Sequence, residues 1–310
     1  MSKPRDSALF RELSSLSTEG LLPESGDLDT LDTEGIVRII NEQDRKVPAA
    51  VGECLAEIAQ AADRVAESFR NGGRLLYVGA GTSGRLGILD AAECPPTYGT
   101  DPSEVVGIIA GGRESVFRAQ EGAEDDPEAG RSAMDDHRVQ PLDTVVGIAA
   151  SRRTPYVRGA LARARELGAF TALVTCNPGP VQADAEDAAD VVIAPDVGPE
   201  VIAGSTRMKA GTAQKLVLNM ITTAAMVRRG KTLGNLMIDL RTGSAKLVER
   251  SRRIVMQVTG VDYDAAADLL DRSGGSVKTA IVMHRRGCGR EEAERLLADA
   301  GGFVRRALEG

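Results

Sequence analysis

Short apolar runs alternate with amphipathic stretches through the middle of the chain. Leu75–Val78, Val105–Ala110, Thr144–Ala149, Phe170–Thr175 and Val191–Ala194 are short, apolar and β-branched, the pattern of buried strands. Between them Arg85–Glu93, Ser115–Gly122, Tyr156–Leu167 and Val181–Ala188 read as helices, the last with the weakest pattern. The alternation predicts an α/β fold, a doubly wound parallel sheet with helices on both faces and right-handed crossovers.

Residues 1–31 are rich in Ser, Leu, Asp and Glu without period, and read as an arm that would order against a partner subunit. From Asp32 the spacing of Ile36, Ile39 and Ile40 turns helical, and Pro48 restarts a second helix. Its face is Val51, Leu55, Ile58, Ala62, Val65 and Phe69, and Asn71-Gly72-Gly73 ends it. Further on, Gly204-Ser205-Thr206-Arg207-Met208-Lys209 would open a long helix with hydroxyl caps, followed by an apolar-periodic segment over Leu233–Val258. From Gly260 three short helices are expected, separated by Ser273-Gly274-Gly275 and Gly287-Cys288-Gly289. The expected organisation is an arm with helices over 1–60, the sheet domain over 61–228, a connecting helical segment over 229–258 and a small all-helical domain over 259–310.

The candidate chemistry begins where the first strand ends. Gly79, Gly81 and Gly84 follow Val78, and a helix starts behind them, ahead of Pro95 and Pro96, which it is not expected to pass. A strand, a glycine turn and a helix N-terminus make an anion site, because backbone N–H groups point outward and the dipole favours negative charge. The spacing is also that of a dinucleotide fingerprint, but that reading expects an acid at the tip of the next strand. Here the tip is Gly111-Gly112-Arg113, while Thr82 and Ser83 place two hydroxyls in the turn. A compact sugar phosphate suits this turn better than a pyrophosphate, and a turn that only lets helix and strand pack closely is the plain alternative.

The chain of 310 residues is 42% hydrophobic and 27% charged, enough for one large domain and a small one. Its formal net charge of −7 argues against nucleic acid and anionic membrane surfaces as partners. The polar start, Met-Ser-Lys-Pro-Arg-Asp, does not read as a signal peptide, and no apolar run approaches the ~20 residues of a membrane span. Cys54, Cys94, Cys176 and Cys288 lie far apart, as reduced thiols of a cytoplasmic protein would. With His137 and His284 as the only histidines, a histidine-based metal site is not expected.

Four stretches carry a resemblance. Gly79-Ala-Gly-Thr-Ser-Gly-Arg-Leu-Gly-Ile-Leu-Asp-Ala-Ala-Glu-Cys-Pro-Pro-Thr-Tyr98 and Gly204-Ser-Thr-Arg-Met-Lys-Ala-Gly-Thr-Ala-Gln-Lys-Leu-Val-Leu-Asn219 closely resemble the signatures of N-acetylmuramic acid 6-phosphate etherases. Gln120-Glu-Gly-Ala-Glu124 and Gly234-Asn-Leu-Met237 also fit, and the likeness runs from about Glu34 to the C-terminus. The resemblance implies the SIS (sugar isomerase) phosphosugar-binding fold followed by a small helical domain similar to a ubiquitin-associated (UBA) domain. It implies a cytoplasmic homodimer with the site near the subunit interface, a phosphorylated amino-sugar substrate, and no metal or cofactor. The implied reaction cleaves the ether between the sugar's C3 oxygen and a D-lactyl group, with Glu93 as general acid and Glu124 as general base. One departure stands out: the family's loop after the third strand reads Ser-Gly-Arg-Thr-Pro, whereas here it is Ser151-Arg152-Arg153-Thr154-Pro155. If that position needs positive φ, Arg152 costs stability or reshapes the loop that holds Ser151.

The residues themselves leave several roles open. Glu93 ends an apolar helix, a setting that could keep it protonated, and helix-end glutamates are also common on plain surfaces. Glu124 lies in the acidic run Glu121–Asp126, which by composition alone reads as a solvated face. Phosphate ligands are expected among hydroxyls and backbone N–H groups: Gly81, Thr82 and Ser83 first, Ser151 and Thr154 next. Ser205, Arg207 and Lys209 open a helix and serve either as ligands or as caps and surface charge. Two rival functions share the fold: a regulatory protein that senses sugar phosphates without catalysis, and an aldose–ketose isomerase. Retention of both glutamates favours the lyase over a sensor.

Overall fold

The computed structural model describes residues 16–179, 189–240 and 245–309. Three 3-10 turns, Ser17–Glu19, Pro23–Ser25 and Leu28–Thr30, lead into α1 (Thr33–Asp44), whose N-cap Asp32 accepts from Gly35 N. Residues 16–31 are therefore not a bare arm; residues 1–15 lie outside the described part. Asn177 explains the difference: its Nδ2 donates to Thr18 Oγ1 (3.0 Å) and Ala150 O (2.8 Å), and its Oδ1 accepts from Ser17 Oγ (3.0 Å).

Helices α2 (Val47–Gly52) and α3 (Leu55–Arg70) precede β1 (Leu75–Gly79) and α4 (Gly81–Tyr98). Then come β2 (Val105–Ile109), α5 (Glu114–Phe117), α6 (Pro127–Asp136), β3 (Thr144–Ile148), α7 (Pro155–Glu166), β4 (Phe170–Val174) and β5 (Val191–Ile193). The five strands form one sheet in the order β2-β1-β3-β4-β5, with parallel pairing of β1–β3, β3–β4 and β4–β5. All five strands fall where the apolar runs predicted them.

Every residue of β1 and β3 is buried, as expected of strands covered on both faces. Leu76, Val78 and Val145 pack with Met134 of α6 and with Tyr156, Val157, Ala160 and Leu161 of α7. Residues one step along point to the other face, where a Cβ at Gly87 of α4 would come within 2.8 Å of Tyr77 Cβ. Helices α6 and α7 approach through glycines. A Cβ on Gly130 would sit 2.0 Å from Tyr156 O, and one on Gly159 2.0 Å from Pro127 O, so both backbones meet where no side chain fits.

Helix α4 corrects one expectation by running through Pro95 and Pro96 to Tyr98. Both prolines sit in its last turn, where each lost N–H costs one bond, and Gly99, at φ +64°, closes the helix by donating to Pro95 O (2.9 Å). Helix α5 is a single turn rather than the expected Ser115–Gly122, since Arg118 is extended and Gly122 left-handed. The expected Val181–Ala188 helix lies outside the described residues.

Helix α8 (Lys209–Arg228) follows, then β6 (Thr232–Leu233) and β7 (Leu236–Met237), an antiparallel pair. This pair replaces part of the expected Leu233–Val258 helix, because Gly234, at φ +57°, turns the chain there. Next are α9 (Ala245–Thr259), α10 (Tyr263–Arg272), α11 (Val277–Arg286), α12 (Arg290–Asp299) and α13 (Val304–Glu309). The tail after Gly260 thus holds four helices among the described residues rather than three, with Gly301-Gly302 making the extra break.

The chain divides into two compact units, 1–90 with 106–221 and 91–105 with 222–310. The second has its own core, in which Ile238, Leu240, Ile254 and Val255 pack with Leu269, Ile281, Met283 and Leu297. Within it Asp239 accepts from Lys231 Nζ (2.7 Å) and Lys278 Nζ (2.9 Å), which hold its carboxyl below the usual range against the opposing effect of burial.

Candidate active site

The sheet order reverses direction between β1 and β3, and in such sheets ligands bind beyond the carboxyl ends of the strands at that point. Gly79 of β1 pairs with Ile148 of β3, so the turns after both strands leave the same edge side by side. The first turn is tight: a Cβ on Gly79 would lie 2.7 Å from Gly84 N, and one on Gly84 2.6 Å from Ile109 Cγ1. These glycines serve the close packing of helix on strand, and the same packing aims the first N–H groups of α4 past the end of β1. Gly81 is exposed and Thr82 half-buried at that terminus.

Ser83 is 9% exposed, and its hydroxyl donates to Gln214 Oε1 at 2.9 Å. Gln214 is a residue the sequence reading did not single out; it lies 131 positions away on α8, and no local pattern announces the contact. Behind it, Tyr77 OH donates to Asp90 Oδ2 (3.0 Å) and Asn219 Nδ2 to Asp90 Oδ1 (2.6 Å), tying α4 and α8 to β1.

Beyond β3, Arg152 adopts φ +66°, a left-handed conformation that favours glycine. That backbone costs roughly 1–2 kcal/mol of strain, and the loop is held by Arg152 N donating to Ala149 O (2.9 Å) and Arg152 Nη1 to Gly179 O (2.8 Å). Ser151 stays at the end of β3, its Oγ 3.4 Å from Arg153 N. Thr154 is the N-cap of α7 and makes no side-chain capping bond.

Glu124 sits in the 3-10 turn Ala123–Asp125, directly before the α6 N-cap Asp126. It is exposed and lines a cavity of about 230 Å³ together with Ala80, Gly81, Arg85, Ser115 and Gln120. Arg85, also outside the sequence reading, anchors the facing loop: its Nε donates to Val116 O (2.8 Å) and its Nη2 to Ser115 O (2.6 Å).

Glu93 is exposed on α4, the surface setting of the two that the sequence left open. The helical period is the reason. It turns Asp90, Ala91 and Cys94 inward and leaves Glu93 on the same face as Leu89, which is 53% exposed.

The start of α8 also differs. Its cap is Glu200, whose carboxylate accepts from Lys209 N (3.0 Å) and Ala210 N (2.9 Å), not a hydroxyl of Ser205 or Thr206. Burial raises the Glu200 pKa and lowers that of Lys209, whose Nζ donates inside the chain to Gln43 Oε1 (3.2 Å). Arg207 is exposed and Ser205 half-buried. Gly211 lies beside Thr82, a Cβ there standing 3.5 Å from Thr82 Cγ2. The structure thus groups Gly81, Thr82 and Ser83 with Ser151 and Thr154 at one sheet edge, sets Glu124 over the Gly81 cavity, and turns Lys209 inward.

Residues 57–165 match the family model for the glucokinase regulatory protein N-terminal SIS domain. An N-acetylmuramic acid 6-phosphate etherase from Salinibacter ruber is 58% identical over 308 residues, 99% of this chain and 98% of that protein. One from Symbiobacterium thermophilum is 59% identical over 271 residues, covering 87% of this chain and 89% of that protein. N-acetylmuramic acid 6-phosphate etherase 2 of Vibrio cholerae is 50% identical over 302 residues and 97% of both chains. Identity at this level across the parallel sheet, its glycine turn and the helical tail alike means that the chain belongs to the N-acetylmuramic acid 6-phosphate etherase family.

Proposed function

We propose that this chain is a carbon–oxygen lyase that releases D-lactate from N-acetylmuramic acid 6-phosphate and leaves N-acetylglucosamine 6-phosphate, in the recycling or breakdown of cell-wall amino sugar. The observation that carries the reading is the cavity shared by Gly81, at the anion-binding end of α4, and Glu124. Phosphate would lie on the N–H groups at the start of α4 with the hydroxyls of Thr82, Ser83, Ser151 and Thr154 around it. Ser205 and Arg207 stand at the start of the neighbouring helix; Lys209, turned inward, would support that turn rather than touch the ligand.

An alkoxide is a poor leaving group, so the reaction proceeds by elimination. In the ring-opened sugar the C1 aldehyde acidifies the C2 hydrogen. Glu124 takes that proton, the C3–O bond breaks, and Glu93 protonates the departing oxygen. The C2=C3 double bond conjugated with the aldehyde then adds water, hydroxyl to C3 and proton to C2. The sum is ether plus water to alcohol plus lactate. Each positioned proton transfer contributes roughly 10²–10⁴-fold.

A general acid needs an apolar cover to hold its proton, and Glu93 is exposed on the single chain. The cover would come from substrate and from a second copy in a homodimer with the site near the subunit interface, in the cytoplasm. Incubation with N-acetylmuramic acid 6-phosphate and assay of D-lactate tests the function. No lactate above a protein-free control would overturn it, and an isomerase or a sensor would give that result.

A further inference from the structure

Arg85 is a half-buried cation lining the cavity that Glu124 overlooks. Two of its guanidinium nitrogens are held by the carbonyls of Ser115 and Val116, and it pairs with no carboxylate among the described residues. The carboxylates beside it, Glu121 and Glu124, are exposed and solvated, while Arg85 is the basic group among the described residues that line this cavity. A cation partly withdrawn from water, fixed in direction by two neutral acceptors and left without a counter-ion, is a site for an anionic group of a ligand.

The substrate of the proposed reaction carries two anions. Its phosphate has the start of α4, the ready-made place for it. Its lactyl carboxylate hangs from C3, one carbon from the C2 hydrogen that Glu124 would take, and so a few bonds from the carboxyl group that overlooks this cavity. We propose that Arg85 receives the carboxylate of the lactyl group and is the residue by which the site distinguishes the ether substrate from the lactate-free sugar phosphate. The inference rests on the lyase reading given above. Arg85 then serves two purposes: its fork holds the 115–116 loop, and its remaining N–H groups hold the leaving group while the C3–O bond breaks.

The test uses binding, measured calorimetrically on the Glu124→Gln protein so that substrate survives. The ligands are N-acetylmuramic acid 6-phosphate, its lactyl carboxamide, and N-acetylglucosamine 6-phosphate. With Arg85 intact the carboxylate ligand should bind ~10-fold or more tighter than the neutral carboxamide. In Arg85→Gln, which keeps an N–H donor for the loop but no charge, that difference should vanish, and Arg85→Lys should retain part of it. N-acetylglucosamine 6-phosphate should lose little in either variant. Equal binding of acid and carboxamide with Arg85 intact would overturn the proposal, and that measurement needs no Arg85 variant to fold. Parallel losses for all three ligands in Arg85→Gln would overturn it in favour of a loop anchor, and a larger loss for N-acetylglucosamine 6-phosphate in favour of a phosphate contact. Lactate release by the unaltered protein tests the lyase reading separately.

Discussion

Replacing Gly159 by Ala puts a methyl group where α6 and α7 touch. On α7 the new Cβ would stand 2.0 Å from Pro127 O, against 3.4 Å or more for ordinary contact, so the helices must part by ~1.4 Å along that line. The obstacle is backbone carbonyl rather than the end of a flexible side chain, and it cannot rotate away. Overpacking of this kind costs roughly 1–3 kcal/mol or more, while Ala in place of a mid-helix Gly returns ~1 kcal/mol. A net loss of up to ~2 kcal/mol is expected, read as a lower urea midpoint at unchanged slope. Gly52, near the end of α2, has nothing within 4 Å of its would-be Cβ, and Gly52→Ala should show the small gain alone. Activity should fall further than stability. The start of α6 carries the Glu124 turn and the start of α7 the Ser151–Thr154 loop, and misplacement by ~1 Å can cost 10²-fold. Gly159→Ala as stable as Gly52→Ala, with full lactate release, would refute the close helix contact and its link to the site.

In heavy water the product should exchange its C2 hydrogen; Glu93→Gln should abolish lactate release yet keep some exchange, and Glu124→Gln should lose both, each slowed by at least ~10²-fold. Reversed behaviour would exchange the two roles. Arg152→Gly relieves ~1–2 kcal/mol of left-handed strain and concedes ~0.4–1 kcal/mol of unfolded-chain entropy with the exposed bond to Gly179 O; thermal unfolding should move by a few degrees at most, upward, and a clear drop would show that the Arg152 side chain matters more than its φ. Cys176 is buried, and burial pushes its thiol up to about 12 from 9.0. Between those values the unfolded chain loses this proton and the folded one keeps it, so this group's contribution to stability should fall as pH rises from 9 to 12. At pH 8 a thiol reagent should label half-exposed Cys288 first and Cys176 only after denaturant is added.

The strands were legible because each is a short β-branched run bounded by turn residues, and a fully buried parallel strand has little else to say. Helix α6 went unread: its Pro-Glu-Ala-Gly-Arg-Ser-Ala-Met-Asp-Asp stretch has one large apolar residue, Met134, although Asp126-Pro127 is a good helix start. What α6 lacks in apolar surface it makes up through Gly130, whose effect depends on Tyr156 of another helix. The tight turn after β1 was legible from its glycines, but the direction of the Ser83 hydroxyl was not, since it depends on Gln214 across the fold. The strain at Arg152 could be suspected only from the family's glycine at that place. For Glu93 the apolar composition of its helix left cover and exposure both open, and the helical period, which turns Asp90, Ala91 and Cys94 inward, decides for exposure.

The amide of Asn177 also places the site in time. It joins Thr18, near the start of the chain, to the carbonyl of Ala150 just ahead of Ser151. Thr18 leaves the ribosome 159 residues before its partner, an interval of ~8–30 s at ordinary synthesis rates of about 5–20 residues per second. Through that interval the sheet edge that would hold the phosphate lacks one side of its frame. The segment that carries Thr18 thus cannot settle on its partner until the chain has reached residue 177, and a nascent chain stalled before that point carries Ser83, Glu93, Glu124 and Ser151 without the contact that ties Thr18 to the Ala150 carbonyl.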